Sequence, residues 1–360
     1  MAVEVAQGAN GEAGQVRYAL VDVNEASVAI LARHARPTFA GRFGDYRAAP
    51  APVIGVGDAL SITVWEAASG GLFSAPSIGG VTAGSHSAAI PEQVVARDGA
   101  ITVPYAARIR VAGLTPPQVE RAIVRNLAGK AIEPQALVTV TRSLTNAATV
   151  TGEVTNGARV PLSPKGDRIL DVIATAGGVR APVHETFITL SRGSASATVP
   201  MQALISSPRE NVFVRPNDVL TLVRNPQTFS VFGATGRNAV VTFDALGITL
   251  EEAIAKSGGL IGLQSDPEGV FLLRREPAAL ARQLDPSLQA DPGQQEINVV
   301  YRANLRDANT YFLARRMAIR DKDILYVASA ASTELQKVLA LFSMAAQPAL
   351  TAVSVCGGRC

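Results

Sequence analysis

The chain has 360 residues, of which 48% are apolar, 18% charged and 5% aromatic. That length and composition predict two or three domains with real cores and exclude bulk disorder. A formal charge of +3, with arginine scattered rather than clustered, argues against a nucleic-acid partner.

The opening MAVEVAQGANGEAGQVRY has neither the basic start nor the apolar core of a secretion signal. Read literally it means no secretion; a mature, truncated or mis-started chain fits equally well. Residues 18–34 begin extended and turn helical, with Asn24 as cap and Val28, Leu31 and Ala32 facing inward. After a Pro/Ala stretch at 48–52, IGVGDALSITVWE (54–66) reads as a turn at Gly57-Asp58 and a strand alternating Leu60, Ile62 and Val64. A Gly/Ser-rich loop follows at about 67–89. Asp98-Gly99, between two β-branched runs, predicts a hairpin. Thr115-Pro116-Pro117-Gln118 starts a helix that buries Val119, Ile123 and Leu127. Leu137 to Val140 gives a closing strand.

An internal duplication follows. ILDVIATAGG (169–178) returns as LEEAIAKSGG (250–259), and the flanks repeat with it. Gly152 answers Gly233, Val160 answers Val241 and Gly166 answers Gly247 at one offset. ITLSRG (188–193) answers VFLLRR (270–275), and VRPNDVLTL (214–222) answers IRDKDILYV (319–327). Order is kept through two strands, a helix, a strand and a last strand, so this is a duplicated β-rich unit with one helix. Two copies are too few for a solenoid and read as tandem small domains. The second copy carries an insertion at 276–295, rich in Pro, Gln and Asp, which reads as a surface loop with at most one helical turn.

Beyond it, STELQKVLALFSMAAQPALTAVSV (332–355) changes period. Leu335, Val338, Leu339, Phe342, Ala345 and Ala346 share one helical arc, and Thr333, Gln336, Lys337, Ser343 and Gln347 the opposite one. This amphipathic helix ends or kinks at Pro348. No run of 18 apolar residues predicts a conventional transmembrane helix.

No catalytic or metal-binding constellation stands out. His34, His86 and His184 are far apart in sequence, and Cys356 and Cys360 lie together in CGGRC at the end of the chain. A chain otherwise free of cysteine suits an oxidising compartment without proving one. The glycine pairs 177-178 and 258-259 follow helices, so they are caps and not phosphate loops. Asp58, Asp218 and Asp323 each open a strand after a turn and read as turn-stabilising carboxylates. Nothing nominates a cofactor, a metal or a catalytic residue.

The phrases GDALSITVWE, DGAITVPYAARIRVAGLTPPQVERAIVRNL and VTVTRSLTNAATVTGEV closely resemble the bacterial outer-membrane polysaccharide biosynthesis/export family, over about residues 18–350. The duplicated phrase resembles that family's soluble-ligand-binding β-grasp (SLBB) modules. The resemblance implies an α+β chain: an N-terminal segment (1–48), a polysaccharide-export domain (49–147), β-grasp repeats (148–227 and 228–329) and a C-terminal amphipathic helix with its tail (330–360). It implies a homo-oligomeric ring, commonly of eight subunits, with its mass in the periplasm and C-terminal helices forming a barrel through the outer membrane. Such a ring exports capsular or extracellular polysaccharide received from an inner-membrane co-polymerase coupled to a tyrosine kinase. On that expectation Leu335, Val338, Leu339, Phe342 and Ala345 face lipid, and Thr333, Gln336, Lys337, Ser343 and Gln347 face the lumen. Three features depart from the family pattern. Ala107 stands where the hairpin usually has glycine, no signal or lipid-carrying cysteine is present, and Pro348 interrupts the last helix. A periplasmic carbohydrate-binding module that never enters the membrane is the second reading. A glycan-cleaving enzyme would need a carboxylate pair, which spacing alone does not nominate.

Overall fold

A computed structural model describes residues 18–34, 37–44, 47, 51–67, 72–73, 87–262, 264–288 and 293–329. They divide into two compact bodies: residues 37–224, and residues 225–329 together with 18–34.

The chain enters through β1 (Tyr18–Asp22) and α1 (Glu25–Arg33). Asn24 and Ser27 cap α1 reciprocally, each side chain accepting the other's backbone N–H. Val28 is buried and Leu31 half-buried, but Ala32 is exposed because packing ends at Leu31 in this nine-residue helix. A short helix, α2 (Phe39–Phe43), follows a Thr38 cap. Phe39 is fully buried among residues of the first repeat, and its N–H donates to the Glu210 carboxylate at 2.7 Å.

The next unit packs α3 (Pro116–Leu127) on a sheet of β2 (Ala59–Trp65), β3 (Ser87–Val94) and β6 (Gln135–Arg142), in the order β3-β2-β6. Leu60, Ile62 and Val64 of β2 meet Val119, Ile123 and Leu127 of α3 in one core, all fully buried. The hairpin is displaced from its expected place. Asp98-Gly99 makes a tight turn into β4 (Ala100–Val103), but β4 pairs with β5 (Ala107–Arg110). The chain therefore reverses at 104–106, and Asp98 binds Arg108 across the pair. Tyr105 and Ala107 hold φ of +62° and +61° there. The left-handed backbone explains why glycine suits position 107, and why alanine there stores about 1 kcal/mol of strain.

The first repeat comprises β7 (Ala147–Gly152), β8 (Ala158–Pro161), α4 (Ile169–Thr175), β9 (Thr186–Arg192), β10 (Ala195–Pro200), α5 (Met201–Ser206) and β11 (Val219–Arg224). Its sheet runs β10-β9-β11-β7-β8, with β11 parallel to β7 and the other neighbours antiparallel. The second comprises β12 (Gln227–Gly233), β13 (Ala239–Phe243), α6 (Leu250–Lys256), β14 (Ser265–Pro277), α7 (Ala278–Leu284), β15 (Glu296–Ala303), α8 (Ala308–Ala314) and β16 (Asp323–Ser329). Its order, β15-β14-β16-β12-β13, repeats the first strand for strand, with β16 parallel to β12. The first copy thus has one strand and one helix more than its sequence pattern announces, and the second one strand and two helices more. β10 is drawn in alternating small residues too mild to read as a strand, and it joins β9 through Gly193-Ser194.

Gly152 and Gly233 show how closely the two backbones agree. Their φ values are +92° and +98°, and a Cβ would lie 1.9 Å from the Leu222 oxygen in one and 2.0 Å from the Val327 oxygen in the other.

Two features separate the copies. The insertion is more ordered than a surface loop: β14 runs on to Pro277, and α7 buries Ala278, Leu280 and Ala281. Ala278 and Ala281 join the core of the second repeat, and Leu284 and Leu288 pack against it. Second, β1 adds a sixth strand, pairing parallel with β15 from Tyr18↔Asn298 to Asp22↔Arg302.

Candidate functional site

The lipid-facing candidates Leu335, Val338, Leu339, Phe342 and Ala345 lie outside the described residues. So do the lumen-facing candidates Thr333, Gln336, Lys337, Ser343 and Gln347, and also His86, Cys356 and Cys360. His34 and His184 are exposed, and the His184 ring lies 3.8 Å from the Glu185 carboxylate. Among the described residues no group of His, Cys, Asp and Glu is arranged to hold a metal ion.

Each aspartate singled out from sequence is buried and saturated by structural bonds. Asp58 accepts from the N–H of Gly55 (2.8 Å), Leu144 (2.7 Å) and Thr145 (3.1 Å), and from the Thr145 hydroxyl (2.8 Å). It fastens the start of β2 to the end of β6. Asp218 and Asp323 do more than close turns. Asp218 accepts the Arg215 N–H and a forked pair of bonds from Arg192; Asp323 accepts the Arg320 N–H and the same fork from Arg274. Each arginine also reaches a backbone carbonyl, Phe213 at 2.8 Å and Ala318 at 2.7 Å. The duplication has therefore copied a latch that ties the hairpin strand to the last strand, with planar bidentate geometry.

The second copy enlarges its latch. Glu276, fully buried, accepts from Arg320 (2.6 Å) and from the Tyr301 hydroxyl (2.9 Å), and lies 3.5 Å from Arg274. Burial pushes the Tyr301 phenol well above the tyrosine range, and the Glu276 charge pushes it further. Burial pulls the Arg274 guanidinium down, but its hydrogen bond and charge contact with Asp323, helped by Glu276, leave it above its ordinary value. Asp218, Asp323 and Glu276 are each hydrogen-bonded to arginine, and Asp58 to backbone N–H groups.

The copies differ most on the sheet face turned away from the helices. In the first repeat, one cross-strand row reads Thr151, Thr221, Thr189 and Thr198 on β7, β11, β9 and β10. The neighbouring row reads Arg159, Thr149, Val219, Ser191 and Ser196. The Thr189 and Thr198 hydroxyls are 2.8 Å apart. Thr149, Thr151, Ser196 and Thr198 are exposed; Thr189, Ser191 and Thr221 are half-buried. Arg159 alone among these nine is charged, and it stands on the edge strand, 3.3 Å from the Asn217 side-chain oxygen. At the matching positions the second repeat has Phe232, Tyr326, Phe271 and Arg302, beside Val240, Ser230, Ile324, Leu273 and Val300. Phe271 and Tyr326 stack at 6.5 Å and are buried, in a small core with Tyr18, Val300 and Ala328. The threonine row was missed at the level of sequence because β10 was not recognised as a strand; the signal was a shared period of two in TVTG, FITL, ATV and LTL.

Comparison with known proteins matches three stretches of the chain. Residues 47–141 match the model of the family described as polysaccharide biosynthesis/export protein, and residues 147–202 and 227–327 match SLBB domain models. The capsule polysaccharide export protein BexD of Haemophilus influenzae is 36% identical over 96% of this chain and 89% of its own length. The capsule polysaccharide export outer membrane protein CtrA of Neisseria meningitidis is 36% identical over 93% of this chain and 86% of its own length. The Vi polysaccharide export protein VexA/TviF of Salmonella typhi is 26% identical over 79% and 76%. With identity at this level across nearly the whole length, the chain belongs to the polysaccharide biosynthesis/export family.

Proposed function

We propose that this chain is a subunit of a conduit that carries capsular or extracellular polysaccharide across the outer membrane, making and breaking no bond. The observation that carries the reading is the 36% identity to capsule export proteins over 96% of the chain. The latched carboxylates support it, since Asp58, Asp218, Glu276 and Asp323 are each committed to holding strands together.

The finer reading is a homo-oligomeric ring, commonly of eight subunits, seated in the outer membrane with most of its mass in the periplasm. It is fed by an inner-membrane co-polymerase with its tyrosine kinase. The division into an export domain at 49–147, repeats at 148–227 and 228–329, and a helix with tail at 330–360 belongs to the same proposal. Among the described residues no helix is long and apolar enough to cross a membrane; in this reading the segment after 330 makes the crossing. From Ser332 to Gln347 a helix would rise about 1.5 Å per residue, roughly 24 Å in all. That is somewhat less than a hydrocarbon core of about 30 Å. In a ring, the arc of Leu335, Val338, Leu339, Phe342 and Ala345 faces lipid, and the arc of Thr333, Gln336, Lys337, Ser343 and Gln347 lines water.

The test is a strain lacking this chain, complemented with the full-length or a 332–360-deleted form. Restored surface polysaccharide with the first only, and a large ring in detergent, are the expected results. Full export by the truncated form removes the barrel. A monomer that binds glycan but does not restore export replaces the conduit with a periplasmic binding module.

A further inference from the structure

We infer that the helix-distal face of the first repeat's sheet, centred on the row Thr151-Thr221-Thr189-Thr198, is a contact surface for the exported polysaccharide. The inference rests on the export reading above.

The argument starts from what the fold does not require. The second repeat has the same strand order and register, and its corresponding row is aromatic at Phe232, Tyr326 and Phe271, of which Tyr326 and Phe271 are buried. Hydroxyls are therefore not imposed by the backbone. A merely solvated sheet face is commonly decorated with lysine and glutamate. In these two rows the central strands carry hydroxyls and Val219, the next row on the face holds Phe187 and Val223, and the one charge of the two rows, Arg159, stands at the rim. Adjacent strands lie about 4.8 Å apart, so the row presents hydroxyl groups at that repeat. A glycan is a chain of hydroxyls that both donate and accept, as threonine and serine do. Such bonds exchange with water at little net gain. A surface of that kind holds a polymer loosely along its length, whereas a cluster of arginines would grip an anionic polymer and stop it. The chemical class of ligand is thus a hydroxyl-rich polymer, met by many weak and equivalent contacts rather than by one pocket.

The experiment uses the full chain with Cys356 and Cys360 replaced by serine, in a strain lacking its own copy. Single cysteines are placed at Thr151→Cys and Thr221→Cys in the row. Ala174→Cys, on the exposed side of α4, is the control. Cells are labelled with N-ethylmaleimide or with a large poly(ethylene glycol) maleimide, and surface polysaccharide is measured. The expected result is size-graded: the large reagent at 151 or 221 reduces export to the level of the deletion strain. The small reagent reduces it far less, and neither acts at 174. Full export with the row fully labelled by the large reagent overturns the inference while leaving the conduit intact. Cysteines at 151 and 221 that no reagent reaches in the assembled protein, or a ring that dissociates with the small reagent, also overturn it, since the face is then a protein interface. Failure of the unlabelled single-cysteine chains to restore export, with the two-serine chain also failing, sinks the export reading and this inference with it.

Discussion

Where the first repeat sets Thr151, Thr221 and Thr189 across three strands, the second sets Phe232, Tyr326 and Phe271, on strands of the same order and direction. One sheet has one core and one wet face. The other has Leu272, Val299 and Leu325 in its main core and also buries Phe271, Val300 and Tyr326 on the opposite face, where Phe232 and Val240 stay exposed. The latches follow the same division. Arg192 keeps 18% of its side chain exposed in the first repeat, while Arg274 keeps 4% in the second and recruits Glu276, Arg320 and Tyr301. Duplication thus kept the frame and let its surface diverge, one copy towards water and the other towards packing. A duplicated module is free to do this because strand pairing is made by the backbone, while each face is written by alternate side chains.

The frame itself should be equally fragile in both copies. Gly152→Ala and Gly233→Ala each drive a methyl into a carbonyl oxygen, and each is expected to unfold its own repeat, at a cost of about 4 kcal/mol or more. Chemical denaturation of the two variants checks this; a mild effect at one site would show that the backbones are not equivalent.

The latches should be unequal. Asp323→Ala strands Arg274 in the interior and is expected to cost about 3–5 kcal/mol. Asp218→Ala should cost clearly less, because Arg192 can turn to solvent. Equal losses would mean that the extra carboxylate at Glu276 contributes nothing.

The faces should be more unequal still in relative terms. Tyr326→Thr removes a buried ring and should cost about 3 kcal/mol. Thr221→Val, on the hydroxyl face, should change stability by about 0.5 kcal/mol or less. Melting curves of the two variants decide it, and a large loss at Thr221 would place that face in a packed contact.

The smallest expected effect is a pH dependence confined to the second repeat. Its Tyr301 is held neutral in the fold, so the folded pKa lies above the unfolded value near 10. The unfolded chain then gains ionisation first, and the stabilisation present below about pH 10 is lost as pH rises beyond it. Tyr301→Phe should flatten that alkaline limb while leaving the neutral region little changed. An unaltered limb would trace the loss to another group.

Much of this was legible before any coordinates. The offset that joins Gly152 to Gly233 and Gly166 to Gly247 fixed the duplication, and the capping pair Thr115/Gln118 fixed a helix start. Local signals carry such features because the partners are within one turn of helix or at one fixed offset. The rest needed distance. Arg192 and Asp218 are 26 residues apart and Arg274 and Asp323 are 49, so nothing local pairs them. Ala107 was visible as a departure from glycine, but only its φ of +61° gives the reason. Of the proposed export surfaces, the amphipathic arcs expected at Leu335 and Gln336 rest on period alone, whereas the threonine row required strand register, which single-strand patterns do not contain.

The pairing of β1 with β15 has a consequence for the order of assembly. Asp22 bonds Arg302 across 280 residues of chain, and the whole of residues 37–224 lies between these two strands. A chain emerging from its N-terminus makes β1 first and must leave it unpaired until Val299 and Val300 arrive. The intervening body can meanwhile fold on its own contacts. The entropic toll of closing so long a loop grows only with the logarithm of its length, and a folded insert shortens the effective loop further. Pairing of β1 therefore waits until residues 296–303 have been made. Until then the apolar strand YALV is a free edge, available to a chaperone or to a second chain.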